Sequence, residues 1–110
     1  MVRIARGIAA FTLLTAAAAV AGQTQPAPFA HGDPAAGKAI VERDCVSCHA
    51  QKFAGDPDRM YTRPDHRVTT PQKLVAQVQA CNTNLGKGYF PEDEENIAAY
   101  LNAAFYHFKP

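Results

Sequence analysis

Cys45-Val46-Ser47-Cys48-His49 sets two thiols three residues apart, with an imidazole directly after the second. Three chemistries use such a group. A thioredoxin-like redox pair needs its C-x-x-C in a βαβ setting, and no strand-like alternation is present in this chain. A structural zinc site needs a second ligand pair, which Cys81 and one distant histidine supply poorly. Covalent attachment of c-type haem needs C-x-x-C-H itself. Two thiols at this spacing add to the two haem vinyl groups, and the adjacent imidazole falls under the iron as proximal ligand. One haem c is therefore the expected cofactor, with Cys45 and Cys48 as its attachment points and His49 as an iron ligand.

Three cysteines in 110 residues cannot form a closed disulfide set, so one sulfur has another role. The beginning of the chain points to an oxidising compartment. Arg3 and Arg6 form a positive n-region, Ile8 to Val20 an apolar stretch, and Ala19-Val20-Ala21 a small-x-small cleavage site, so residues 1–21 read as a secretory signal peptide and the protein as periplasmic or otherwise exported. The apolar run is too short for a membrane anchor. A composition 47% hydrophobic and 19% charged is that of a folded chain, and the formal charge of only +1 gives no basic surplus to suggest nucleic acid as a partner. What remains after cleavage is close to the smallest size that an apolar core alone stabilises, so a large apolar cofactor also answers a structural need.

The elements that must position the motif follow from caps and periodicity. Residues 22–32, with Pro26 and Pro28, read as a flexible lead-in. Asp33-Pro34 is a cap followed by a first-turn proline, opening a helix that runs to the motif; Gly37 within it costs about 0.5–1 kcal/mol against alanine and invites a packing reason. Gln51 to Thr69 shows no sustained period and reads as an irregular surface loop. Thr70-Pro71 opens a second main helix on which Leu74, Val78 and Cys81 continue one apolar stripe, and Asn82 to Gly88 reads as the polar turn that ends it. Pro91 opens a third, with Glu92 to Glu95 at the positive end of its dipole and Ile97, Leu101, Ala104, Phe105 and Phe108 as its buried face. The fold class is all-α with three main helices.

On these residues the chain resembles class I cytochrome c. Gly32-Asp33, Gly37-Lys38 and Cys45 to His49 match the family's first helix, and Ala98-Ala99-Tyr100-Leu101 its last. The resemblance implies a small cytochrome c domain over residues 33–110, three main helices around one covalently bound haem, with Gly37 and Tyr100 meeting where the first and last helices cross. The family's distal methionine is missing: Leu85 stands at its place and cannot ligate iron. The other candidates are Met60 and His66 in the irregular loop, Asn82 and Asn84 after the second helix, and Cys81. His31 and His107 read as solvated. Cys81 has three choices, an inert buried thiol, an intermolecular disulfide or the sixth ligand. Ferric iron lowers a thiol pKa and compensates its charge, which favours ligation. A short exported chain with one cysteine before the last helix is also similar to the NaxLS haem proteins, dimeric subunits with His/Cys-ligated c-haem that bind nitric oxide and carbon monoxide.

The expected function is a periplasmic monohaem cytochrome with His49/Cys81 ligation, acting in low-potential electron transfer with a redox partner protein or in binding NO or CO, rather than as an enzyme. The alternatives are an ordinary electron shuttle with a Met or His sixth ligand, and a haem subunit of a sulfur- or nitrogen-compound oxidoreductase, for which Arg59, Arg63 and Arg67 offer the only clustered positive charge. Phe105, Tyr106 and Phe108 exceed what one short helix needs, leaving room for a homo- or heterodimer contact.

Overall fold

Asp33 starts the first helix as its sequence requires: its carboxylate accepts from Ala35 N at 2.8 Å and Ala36 N at 3.3 Å, and α1 spans Pro34–Asp44. A computed structural model describes Gly22 and residues 25–109. The expected signal peptide lies outside the described residues. Four more helices follow, α2 (Val46–Lys52), α3 (Arg59–Thr62), α4 (Pro71–Leu85) and α5 (Pro91–Leu101), and a π-turn over Asn102–Tyr106. Among the described residues there is no strand, and the chain is all-α. The three main helices stand where their caps put them. Thr70 Oγ1 accepts from Lys73 N at 3.2 Å, and the Asp93 carboxylate accepts from Phe90 N at 3.2 Å. Asn82 to Leu85 is the last turn of α4 and not a loop. It ends at Gly86, which takes the left-handed conformation that glycine adopts without penalty (φ 59°).

The first and last main helices cross with backbone against backbone. A side chain at Gly37 would overlap the Asn96 carbonyl of α5, and one at Gly32 would come within 2.8 Å of Ala99 Cβ. Gly37 thus has its packing reason, and the atoms nearest to it are those of the Asn96–Ile97 backbone. Because α5 also packs on α4, its buried residues are Ile97, Ala98, Ala99 and Leu101, while Ala104 is exposed.

Two expectations change. The lead-in is not flexible from Ala27 onward: Ala27 and Phe29 are buried, His31 N donates to Glu95 Oε1 at 3.2 Å and Asp33 N to Asn96 Oδ1 at 2.7 Å. Phe29 supplies the apolar area that anchors a segment whose prolines suggested a tether. The stretch from Gln51 to Thr69 is also not wholly irregular, since α2 runs on past His49 and α3 forms around Tyr61, which is 8% exposed. A single buried aromatic fixes that short helix, and one residue creates no periodicity to read.

The chain after α5 forms a hook. Asn102 donates through Nδ2 to Phe108 O at 3.1 Å and accepts from Phe108 N at 2.7 Å, and His107 turns the backbone through the left-handed region (φ 57°). The hook lays Phe105 against Tyr61, ring centroids 4.7 Å apart and nearly parallel, with Tyr106 edge-on to the same ring. Phe105, Tyr106 and Phe108 are each half-buried by these contacts.

Candidate functional site

Cys45 ends α1 with its N–H bonded to Val41 O and begins α2. Since α2 continues without a break, Cys45, Cys48 and His49 stand at i, i+3 and i+4, neighbours on one helical face. Cys45 and His49 are half-buried and Cys48 is exposed. Tyr89 holds the start of this turn in place, its Oη donating to Asp44 Oδ2 at 2.5 Å. The hydrogen bonds from Arg43, then from Tyr89, keep the Asp44 carboxyl well below the usual carboxylate range.

His49 borders a cavity of about 330 Å³, in the range of cofactor pockets, roughly 300–1,000 Å³. Leu74, Val78, Ile97 and Leu101 form apolar walls, and Met60, Tyr61, His66 and Cys81 also border it. At about 24 cal/mol per Å³, a dry hollow of this size costs at most ~8 kcal/mol. That is comparable with the whole stability of a small domain, about 5–15 kcal/mol. A large apolar group seated in the cavity removes this cost.

The electrostatics suit a neutral imidazole at His49. Burial, then the charge of Lys52, holds the His49 imidazole below its ordinary pKa, so a ring nitrogen keeps a free lone pair at neutral pH. Its Nδ1 lies 3.0 Å from Tyr61 Oη. Burial pushes the Tyr61 hydroxyl well up, so it stays protonated. Burial, then Asp44, also raises the Cys45 thiol, the reverse of what a redox-active C-x-x-C nucleophile requires. Among the described residues no three His, Cys, Asp or Glu side chains gather as a metal cluster, so a zinc site finds no support there.

The sixth-ligand candidates separate by position. Met60, His66 and Cys81 border the cavity with His49; Asn82 and Asn84 do not. Cys81 departs from its expected burial. Leu74 and Val78 of the same stripe are buried against α5, but in the last turn of α4 the stripe runs out over the cavity, leaving the Cys81 side chain exposed. The cost of a buried thiolate therefore drops out of the argument for ligation. Gln77 Nε2, one turn earlier, donates to Cys81 Sγ at 3.3 Å. His66 departs in the other direction. It is half-buried, Tyr106 packs edge-on to its ring at 5.5 Å, and its Nδ1 is buried without a hydrogen-bond partner.

Asn82 has its amide fully engaged: Oδ1 accepts from Tyr89 N at 3.0 Å, and Nδ2 donates to Tyr89 O at 3.1 Å and Glu94 Oε1 at 2.6 Å. This clamp positions Tyr89 and has no free atom for a metal. Asn82→Ala is expected to lower stability by about 2 kcal/mol, as several part-buried hydrogen bonds are lost, and to leave unchanged the visible spectrum of any haem that the cavity would hold. A urea titration beside an absorption scan checks both. Leu85 is 58% exposed and does not line the cavity.

A haem suits the residues that line the cavity, while Cys45 and Cys48, within one turn of His49, are not among them. The cavity is apolar, an imidazole and a sulfur border it together, and two buried nitrogens without hydrogen-bond partners, Arg63 Nε and His66 Nδ1, belong to residues on its wall. Arg67 borders the cavity as well, giving a second positive charge for the haem carboxylates. Arg59 instead faces a separate open cleft with Lys52 and Arg63, so the three arginines do not share one face. Comparison with known protein families, curated proteins and solved structures found no match to this chain. Two site residues escaped the sequence reading, Tyr61 and Tyr89. The only signal for Tyr61 was a Met-Tyr pair in an otherwise polar stretch.

Proposed function

We propose that the chain is an exported monohaem c-type cytochrome, a variant of the class I pattern. Cys45 and Cys48 would carry the haem, and His49 and Cys81 would ligate its iron. The observation that carries the reading is spatial: the histidine of the attachment motif and the one cysteine outside it, on separate helices, border the same apolar cavity. Bound haem supplies one-electron iron chemistry and, where the sixth position opens, a site for nitric oxide or carbon monoxide.

The protein's own groups set the terms for that chemistry. Burial keeps His49 neutral and able to donate its lone pair. Gln77 directs an N–H at Cys81 Sγ, which orients the sulfur. A thiolate donor stabilises the oxidised metal, so the reduction potential lies well below that of a His/Met pair. Leu74, Val78, Ile97 and Leu101 exclude water from the cavity walls. The exposure of Cys81 leaves the distal side open to a small molecule. These features favour low-potential electron transfer with a protein partner, or binding of NO or CO, over catalysis of a substrate's conversion.

The test compares absorption and electron paramagnetic resonance spectra of the ferric protein with those of Cys81→Ser. A low-spin thiolate signal that is lost on substitution is expected, and identical spectra would refute thiolate ligation. One observation favours a second reading, the unpartnered and buried Nδ1 of His66 on the cavity wall. If His66 is the sixth ligand, the protein is an ordinary bis-histidine electron shuttle, and His66→Ala rather than Cys81→Ser changes the spectrum.

A further inference from the structure

The proximal histidine of the proposed site has a partner of its own. Tyr61 Oη lies 3.0 Å from His49 Nδ1, and it is the ring's one hydrogen-bond partner among the described residues. The two rings meet edge-on, centroids 5.4 Å apart and 69° between planes. The tyrosine cannot swing away: it is buried, stacked on Phe105, and bordered by Tyr106. Phe105 and Tyr106 are in turn held by the hook that Asn102 closes on Phe108.

A neutral imidazole carries one proton and offers one lone pair, and the hydrogen bond made by one nitrogen decides which nitrogen is free for a metal. With Nδ1–H donating to the Tyr61 oxygen, Nε2 is the free nitrogen. With Tyr61 donating to Nδ1 instead, Nε2 carries the proton and cannot ligate. We propose that Tyr61 is the positioning residue of the haem site, accepting the Nδ1–H of His49 so that Nε2 faces the iron and the ring is held at one angle. This rests on the haem reading above. It assigns the C-terminal hook a role in the site: the hook's two rings hold the tyrosine that holds the ligand.

Accepting that hydrogen bond gives the imidazole partial anionic character, which favours ferric iron. Tyr61→Phe removes one oxygen and keeps the ring that packs on Phe105. At an applied potential where the unsubstituted protein is half reduced, the phenylalanine variant is expected to be mostly ferrous, a several-fold change in the ferrous-to-ferric ratio, with covalent haem content unchanged. An unchanged midpoint in a variant that carries its haem overturns the assignment and leaves the haem reading standing. Unsubstituted protein that takes up no covalent haem overturns both. A second measurement does not depend on the variant's folding. In the reduced unsubstituted protein under carbon monoxide, proton NMR is expected to show the His49 Nδ1 proton with cross-relaxation to the Tyr61 ring, and an Nδ1 proton with no such contact overturns the proposal.

Discussion

Alanine at both Cys45 and Cys48 is expected to abolish haem retention through a denaturing gel and to leave a chain that melts far earlier than the loaded protein. The proposed site explains both effects. Without thiols at i and i+3 of α2 there is nothing for the vinyl groups to bond, so any haem present is held only by its axial ligands. The stability loss follows from the small core. Among the described residues Leu74 is the one large side chain that is covered almost completely, beside the small Ala98, and an apolar hollow of about 330 Å³ corresponds to at most ~8 kcal/mol at the usual cavity coefficient. Partial hydration through the open side lowers that figure, but a loss of even half of it, about 4 kcal/mol, is a large part of the roughly 5–15 kcal/mol that holds a small domain folded. Haem staining and circular dichroism melts measure the two effects. A double variant that keeps its haem through denaturation, or melts with the loaded protein, would sink the covalent reading.

Substitution at Gly37 is the second large effect, and it does not depend on any cofactor. Glycine to alanine inside a helix ordinarily stabilises by about 0.5–1 kcal/mol through backbone entropy. At this position the sign reverses, because the added carbon overlaps the Asn96 carbonyl of α5. A backbone carbonyl within a helix cannot rotate aside as a side chain can, so α1 and α5 must separate along their shared length. The expected loss for Gly37→Ala is about 3 kcal/mol or more, at the upper end for overpacking, and Gly37→Val should not fold at ordinary temperature. The midpoint of a urea titration measures it. A midpoint equal to or above that of the unsubstituted protein would show that the helices tolerate a wider crossing.

The comparison of these two sites shows what kind of information a sequence carries. Cys45, Cys48 and His49 are legible because their chemistry depends on spacing within one turn of helix. Asp33-Pro34 and Thr70-Pro71 are legible for the same reason, since a cap bonds to backbone only two or three residues away. Gly37 is half legible: a glycine in a helix announces that something comes close, but its neighbour on α5 is set by how two helices cross. Cys81 shows where the reading fails. Its spacing from Leu74 and Val78 correctly assigns a face of α4, yet burial depends on what stands opposite that face, and opposite the last turn stands the cavity.

The sequence by itself determined the helical class, the starts of the three main helices and the thiol-thiol-imidazole group, all of which arise from interactions over a few residues. Only the tertiary structure decided that Phe29 anchors the lead-in, that His66 and Cys81 share a cavity with His49, that Asn82 is committed to Tyr89, and that Tyr61 meets the His49 imidazole. Each of these joins separate segments through shape and burial, and such pairings leave no period in the chain. The distance from Tyr61 Oη to His49 Nδ1, set by a hook at the far end of the molecule, is a property of the packed whole.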